Sequence, residues 1–404
     1  MATILKIAAV NFLSLESVHL ELGALNVLVG PNGAGKTNIL TLFQFLGTVA
    51  RQDLLPAING MHGFDNLLFR GMGRRDRIIR IHFSGVISQH ASAKAPDEYM
   101  LSFWQRTHRR KDGETQQITQ RTEEIVIKRT AGRGRRIALS GGSLKVEAIG
   151  DVKQRRPLPD ALPLQTTATG LATVRRLGEE YGASGVEALA QAFEQLRLFE
   201  IDVPSVRRPS RTLRTHRLAA NASNLAGYLL TLSQEQPAIF ERICDDVQLV
   251  LPGFQGFEFT PIGGSDEAIR LDIKEDKLTG TTPLARASYG TIRAIALFAM
   301  LNDPAPPQLT CLEEIDHGLH PHALDRVVER LREASTKTQI VLATHSPALV
   351  NRINLSELII VERDGNTGGT RVTRPSQELV ETLQDETGYA LGELWFSGSI
   401  GGAL

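Results

Sequence analysis

A stretch near the N-terminus, Gly30–Thr37, matches the phosphate-binding loop pattern G-x-x-x-x-G-K-[ST]. Glycines let such a loop turn tightly and direct its backbone N–H groups at an anion. In this pattern Lys36 reaches the β- and γ-phosphates, and the Thr37 hydroxyl binds Mg²⁺. The pattern therefore predicts binding of ATP or GTP. The residues expected to contact the nucleotide are Gly30, Asn32, Gly33, Ala34, Gly35, Lys36, Thr37 and Asn38.

The segments on either side of this loop fit the prediction. Residues 24–29 form an apolar run that indicates a buried strand, and residues 38–43 indicate the start of a helix. A helix that begins at such a loop favours phosphate, because its N-terminal amides and dipole face the anion. The alternative is a glycine-rich turn that carries a surface lysine.

Two adjacent acids end a second apolar strand, which is predicted over residues 309–312. Glu313 is placed to hold Mg²⁺ directly or through water, and Glu314 is placed to polarise an attacking water. Phosphoryl transfer depends mostly on positioning and charge stabilisation, so one metal ligand and one base suffice. The alternative is a solvated strand end.

Two further segments could complete the site. His345 follows a predicted buried strand, residues 339–343, where it could bond the γ-phosphate and sense hydrolysis. Ser288 and Gly290 precede a predicted helix, and small residues at a helix N-terminus can bind an anion. Local chemistry alone favours a simpler role for Ser288, which is to cap that helix.

The bulk composition is that of an ordinary globular protein, and its charge is unevenly distributed. The chain has 404 residues and a formal net charge of zero, but residues 70–156 contain 20 Lys and Arg against 9 Asp and Glu. This asymmetry indicates either a DNA or RNA surface or basic turns that neutralise the acidic remainder. The two cysteines lie far apart in the sequence, and no apolar run is long enough to span a bilayer. We therefore expect a cytoplasmic protein rather than a membrane protein.

The order of the predicted elements is α/β, and three domains are expected. They are an ATPase lobe with an antiparallel β subdomain over residues 1–155, a compact helical insertion over residues 156–252, and a second ATPase lobe over residues 253–404. Within the insertion, the apolar spacing predicts one helix that runs from Val186 through Phe199.

The ordered motifs together resemble the ABC-type ATPase heads of the SMC and RecF-like group. Within that group the chain resembles the prokaryotic AAA ATPases related to overcoming-lysogenization-defect proteins, many of which act in antiphage defence. The segments that carry this resemblance are Gly30–Thr37 (Walker A), 288–291 (a shortened signature motif), 312–321 (Walker B and D-loop), 344–347 (switch histidine) and 392–402 (the C-terminal ending).

The resemblance implies a dimer of heads that sandwiches two ATP molecules, or a higher homo-oligomer. Ser288 and Gly290 would then contact the γ-phosphate bound by the other subunit, and His320 would lie near the dimer seam. Three features depart from the family pattern. Walker B begins with Glu313 rather than Asp, no Q-loop glutamine can be identified, and, because few residues follow His345, a TOPRIM nuclease domain is not expected. Glu362 and Asp364 are better explained as a strand end beside a glycine turn than as nuclease metal ligands.

The favoured hypothesis is therefore an ATP-hydrolysing ATPase that acts as a dimeric switch in antiphage defence. It would control a partner effector such as a nuclease. Glu314, His345 and Lys36 would be catalytic, and Thr37 and Glu313 would hold Mg²⁺. A RecF-like DNA-repair ATPase and an ATP-bound scaffold with little turnover remain as alternatives. Transport is disfavoured, because neither a membrane segment nor an LSGGQ signature is found.

Overall fold

The computed structural model describes residues 3–71, 76–109, 114–128, 134–149, 162–211, 214–262 and 268–401. The strands in these ranges are β1 (Thr3–Phe12), β2 (Leu15–Glu21), β3 (Leu25–Val29), β4 (Ile79–Val86), β5 (Asp97–Arg109), β6 (Thr115–Ile127), β7 (Gly134–Ser140), β8 (Ser143–Ile149), β9 (Leu162–Pro163), β10 (Leu196–Phe199), β11 (Ser210–Arg211), β12 (Phe254–Pro261), β13 (Ala268–Glu275), β14 (Thr281–Pro283), β15 (Leu309–Glu313), β16 (Gln339–Thr344), β17 (Leu358–Arg363) and β18 (Thr370–Thr373). The helices are α1 (Lys36–Gln52), α2 (Leu54–Gly60), α3 (Phe64–Leu67), α4 (Gly170–Thr173), α5 (Ala183–Glu194), α6 (Val203–Val206), α7 (Leu225–Glu235), α8 (Pro237–Val250), α9 (Tyr289–Leu301), α10 (Pro321–Ala334), α11 (Pro347–Val350), α12 (Gln377–Thr387) and α13 (Leu391–Phe396).

The chain divides into two compact units, each built from separate stretches of sequence. Unit 1 comprises Met1–Gly23, Gly30–Leu196 and Ile359–Arg374. Unit 2 comprises Ala24–Val29, Arg197–Leu358 and Pro375–Leu404. The predicted helical insertion is thus shared, since α4 and α5 belong to unit 1 while α6, α7 and α8 belong to unit 2. The three-domain division stays a prediction.

Unit 1 is built on an antiparallel sheet with the strand order β2-β1-β4-β5-β6-β7-β8-β9. Helix α1 buries Phe45 against Phe12 of β1 and Phe103 of β5, with ring centroids 5.5 and 5.7 Å apart. Helix α5 places Phe193 against Phe83 of β4, with the ring centroids 4.6 Å apart. The alternating apolar residues of the strands therefore anchor the helix that follows the phosphate-binding loop.

Unit 2 contains strands in the order β10-β15-β16-β3, of which β15, β16 and β3 run parallel. Strands β15 and β16 pair with Glu313 opposite Ala343, and β16 pairs with β3 with Thr344 opposite Val29. Strands β3 and β16 are buried along their whole length, as expected for strands inside a parallel sheet. The register brings the carboxyl ends of all three strands to the same edge, and Gly30 follows Val29 directly in the chain.

One secondary-structure prediction was wrong. The apolar spacing that predicted a helix from Val186 through Phe199 is interrupted, because α5 ends at Glu194 and Leu196–Phe199 forms strand β10. A four-residue apolar run suits a strand as well as a helix, and pairing with a neighbouring strand decides between them.

Much of the predicted basic surface falls outside the residues that the structure describes. The basic residues concerned are Arg74, Arg75, Arg110, Lys111, Arg129, Arg133, Lys153, Arg155 and Arg156. In the described part of the chain, no helix is both long and apolar enough to cross a membrane.

Candidate nucleotide-binding site

The phosphate-binding loop has the backbone geometry that its glycines predict. Gly33 and Gly35 have φ angles of 80° and 109°, in the region that residues with a side chain rarely adopt. Gly30 is required for a different reason, since a Cβ there would lie 2.1 Å from the carbonyl oxygen of Val361. A larger residue at any of these positions would force the loop out of shape.

Lys36 begins α1 and folds back over the loop. Its Nζ donates to the carbonyl oxygens of Gly30 at 2.7 Å and Pro31 at 3.1 Å. The side chain is only 7% exposed, so its ammonium group is held where an anion in the loop would meet it. The first turn of α1 contains no acidic residue, which leaves the helix N-terminus suited to phosphate.

A pocket of about 400 Å³ lies beside this loop within unit 1. Leu13, Leu68 and Phe69 supply apolar wall, and Ser14, Asn38 and Arg70 supply polar groups. Mixed apolar and polar walls of this size suit a small organic group such as a nucleoside.

The acidic pair ends β15 in unit 2, and its second member has an unusual backbone. Glu314 has a φ of 48°, which is uncommon for a residue with a side chain and indicates local strain. Its N–H donates to the carbonyl oxygen of Ala343 at 2.9 Å. Asp316 Oδ1 accepts a bond of 2.9 Å from the hydroxyl of Thr344. The loop after β15 is thus fastened to the end of β16.

His345 meets this loop directly. Its Nδ1 lies 3.4 Å from Glu314 Oε1, and its side chain is 49% exposed against 38% for that of Glu314. An imidazole and a carboxylate that face each other at a solvent-accessible strand edge are residue types that serve in general acid–base catalysis. The sequence named both residues, and the structure brings them together.

The start of α9 packs against the same loop. A Cβ at Gly290 would lie 2.1 Å from the carbonyl oxygen of Gly318, so the two backbones are in close contact. Arg293 Nη1 donates to the carbonyl oxygens of Glu314 at 3.2 Å and His317 at 3.5 Å. Arg293 therefore helps to hold the strained turn at Glu314, a role that sequence reasoning missed.

Ser288 caps α9, as local chemistry predicts. Its Oγ accepts a bond of 3.1 Å from the N–H of Thr291, and both Ser288 and Tyr289 are exposed. His320 likewise caps α10 and is exposed. Contact of Ser288, Gly290 or His320 with a second subunit stays a prediction, as do the ligand roles of the loop residues and of Glu313.

Asp364 belongs to a turn, in agreement with the sequence interpretation. Its Oδ1 accepts bonds from the N–H groups of Asn366 at 2.8 Å and Thr367 at 2.9 Å. These backbone bonds are the main reason that its pKa lies below the usual value for Asp. The carboxylate is thus used to shape the β17–β18 connection.

Comparison with known structures identifies the class of fold. A crystal structure of an SMC head bound to the C-winged helix domain of ScpA matches with a TM-score of 0.56 and 13% identity, over 94% of this chain and 99% of that chain. An SMC head with an extended coiled coil from Pyrococcus furiosus, bound to the C-terminal domain of ScpA, matches with a TM-score of 0.54 and 13% identity, over 96% of this chain and 100% of that chain. The predicted fold, a P-loop ABC-type ATPase head with an antiparallel β subdomain, is confirmed.

The family follows from the sequence itself. The profile of the family described as "AAA domain, putative AbiEii toxin, Type IV TA system" matches residues 25–99 and 192–351, more than half of the chain. The chain belongs to this AAA family, and it has the fold of the SMC heads. No curated protein matches it.

Proposed function

We propose that this chain is a cytoplasmic ATPase that binds and hydrolyses ATP and acts as a dimeric switch in antiphage defence, controlling a partner effector. The observation that carries the catalytic part is the Glu314–His345 pair, with its 3.4 Å approach at a strained turn. Strain of this kind persists where surrounding contacts hold it, and it is concentrated at functional sites.

The phosphate-binding loop fits ATP. Its positive-φ glycines leave the amides free of side-chain cover, and Lys36 is already held over the loop by two carbonyl oxygens. In the proposed complex Lys36 and the loop amides bind the phosphates, and the pocket beside Asn38 accepts the nucleoside. Thr37 and Glu313 would hold Mg²⁺, whose chemistry is to neutralise charge on the phosphate oxygens.

In the proposed hydrolysis Glu314 orients a water molecule and accepts its proton. His345 faces the Glu314 carboxylate at 3.4 Å and holds it in the orientation that accepts the proton. Arg293 keeps the Glu314 carbonyl, and hence the turn, in place. Each of these steps uses a side chain or backbone group of this chain.

The dimer is proposed because the start of α9 is exposed. Ser288 and Tyr289 at its start are open to solvent, and Tyr289 is 48% exposed. A second copy could place its nucleotide there, with the amides at the start of the helix facing the phosphate. If ATP binds the closed dimer more tightly than the open one, ATP binding would shift the protein toward the closed state.

The defence role is supported by the family to which the chain belongs. The description of that family names an AbiEii toxin and a type IV TA system. The two SMC heads compared above are each bound to a domain of a second protein, ScpA. Control of a separate effector such as a nuclease is consistent with both observations.

A DNA-binding ATPase is the second candidate, and one feature of unit 1 favours it. Strands β5 and β6 form a long hairpin whose outer part exposes Arg106, His108 and Arg109. Basic side chains at such a hairpin could contact phosphates of DNA or RNA, with an affinity that falls as salt rises. Neutralising Arg106 and Arg109 would reduce that affinity and its salt dependence.

Phage challenge of bacteria that carry the gene with its neighbours tests the defence role. Lys36→Ala is expected to abolish protection and partner assembly, while Lys337→Ala, an exposed lysine on unit 2, leaves both intact. Equal protection by the wild type and Lys36→Ala would refute the defence switch. Full function in Glu314→Gln would instead favour the scaffold that uses ATP without turnover.

A further inference from the structure

A chain of hydrogen bonds runs behind the phosphate-binding loop. Asn38 Nδ2 donates to Ser14 Oγ at 2.6 Å, Ser14 Oγ lies 2.7 Å from Thr370 Oγ1, and Thr370 Oγ1 donates to the carbonyl oxygen of Ala34 at 2.9 Å. Thr370 has one hydroxyl proton and gives it to Ala34, so Ser14 must donate in the middle bond. The bonds therefore run in one direction, from α1 through two hydroxyls to the loop.

The last bond fixes the orientation of one peptide group. In a trans peptide the carbonyl oxygen and the following N–H point in opposite directions, and none of the described peptide bonds is cis. When Thr370 holds the oxygen of Ala34, it also turns the N–H of Gly35 away from Thr370. Gly35 is the N-cap of α1, so an N–H on that side is placed to meet an anion at the helix N-terminus.

The two hydroxyls also pack against Gly35. A Cβ at this position would lie 2.0 Å from Thr370 Oγ1 and 2.7 Å from Ser14 Oγ. With the φ of 109°, the position has neither the conformation nor the space for a side chain. Gly35 thus allows the hydroxyls to reach the loop backbone.

Ser14 follows a strained stretch of backbone. Asn11 and Leu13 have φ angles of 61° and 52°, both uncommon for residues with side chains. The carbonyl oxygen of Ser14 accepts a bond of 2.8 Å from the N–H of Thr370, which ties this stretch to β18. A costly backbone conformation is therefore maintained where it supports the phosphate-binding loop.

We infer that Ser14 and Thr370 are positioning residues that hold the Gly35 amide ready for a phosphate oxygen. Asn38 then acts on the same bond chain through its Nδ2. The inference rests on the proposed binding of ATP at this loop. It adds Thr370, in the hairpin of β17 and β18, to the residues that set nucleotide affinity. A preorganised amide improves binding because less ordering is left for the ligand to impose.

Thr370→Val tests the inference, because valine keeps the shape of threonine and removes the hydroxyl. In calorimetric titrations with Mg-ATP and Mg-ADP, the variant should bind each nucleotide about tenfold more weakly than the wild type. This is the effect expected from losing one hydrogen bond that orients an amide toward a charged phosphate. Thr370→Ser keeps the hydroxyl and should stay within about twofold of the wild type. Thr373→Val, the same change at an exposed position of β18, should leave affinity unchanged.

Ser14→Ala gives an independent second variant. It should weaken binding, and Ser14→Ala with Thr370→Val should bind as Thr370→Val alone does, because both act on one carbonyl. The ¹⁵N–¹H signal of Gly35 without nucleotide should shift in Thr370→Val and remain in place in Thr370→Ser. A merely structural role would lower the free energy of unfolding without moving that signal or the affinity.

The outcomes separate the inference from the proposed function. If the wild type binds ATP and Thr370→Val binds it equally well, the positioning role is wrong and ATP binding stands. If the wild type binds no nucleotide, the proposed function is wrong, and the Gly35 signal still reports whether Thr370 orients the loop.

Discussion

His345 Nδ1 lies 3.4 Å from Glu314 Oε1, so the residue after β16 meets the residue after β15 across the edge of the parallel sheet. Four backbone and side-chain bonds hold this arrangement. They join Glu314 to Ala343, Asp316 to Thr344, and Arg293 to the carbonyl oxygens of Glu314 and His317. The backbone that carries both side chains is therefore held by the fold before any ligand binds, which favours efficient proton transfer.

Glu314→Gln should lower the rate of ATP hydrolysis by about 10²- to 10⁴-fold, since the amide cannot accept the proton. His345→Gln should cost roughly 10- to 100-fold through the lost charge-assisted bond. The double variant should be no slower than Glu314→Gln, because the residues act together. Phosphate release measured at saturating ATP checks this, with the exposed Glu378→Gln as control. Additive losses would show that the residues act independently.

Gly290→Ala should move the loop that carries Glu314. The added Cβ would lie 2.1 Å from the carbonyl oxygen of Gly318, and backbone cannot yield as a flexible side chain can. We expect about 1–3 kcal/mol less unfolding free energy and slower hydrolysis. Urea unfolding and the phosphate assay measure both. Gly60→Ala is the matched control, because nothing lies within 4 Å of a Cβ there. Equal behaviour of the two variants would mean that the contact is not tight.

Asp97 should make stability depend on pH. Burial is the largest influence on its pKa and raises it above the usual value, although Ser88 and Ile87 donate bonds to the carboxylate. The folded state therefore holds the proton to higher pH than the unfolded state does. This contribution to stability is present below about pH 4, the unfolded pKa, and is lost as pH rises through the folded pKa.

Asp97→Asn removes the titrating group and keeps the shape. The Ser88 hydroxyl can accept a bond from the new amide, and the remaining oxygen can accept from the backbone N–H groups. The unfolding free energy of the wild type relative to this variant should fall as pH is raised from 4 to 7. A constant difference, or a rise, would contradict the assigned pKa shift.

Asp246 should be important for the stability of unit 2. Its carboxylate is fully buried and accepts bonds from Arg326 and Arg330 of α10 and from Asn302. Asp246→Asn should lower the unfolding free energy by about 2–3 kcal/mol. The loss should be smaller than when a buried ion pair with no other partner is broken, because both arginines keep a glutamate partner. Glu329→Gln, at a side chain that is 62% exposed, should change it by less than about 1 kcal/mol. Equal effects in chemical denaturation would show that burial of Asp246 adds nothing.

The sequence predicted those features that depend on local pattern. Strand β3, the glycine loop and α1 are specified by a contiguous run, and alternating apolar residues predicted an antiparallel β subdomain. The fold class followed from the order of motifs. Glu314 and His345 could be named because each ends an apolar strand.

Features that depend on distant partners could not be predicted in this way. Thr370 reaches Ala34 from far along the chain, and Arg293 contacts a carbonyl oxygen, which has no side-chain signature. Leu196–Phe199 became a strand because a neighbouring strand pairs with it. The φ of Glu314 likewise results from the contacts around it rather than from its residue type.

Light scattering of Glu314→Gln with Mg-ATP tests most directly whether ATP joins two copies of this chain into a dimer. We expect the mass of a dimer with ATP and of a monomer without it, with one ATP bound per chain. Adding Ser288→Arg, which places a bulky charge at the exposed start of α9, should leave ATP bound and the chain monomeric. A mass that does not respond to saturating ATP, or a dimer unaffected by Ser288→Arg, would contradict a switch built from two heads.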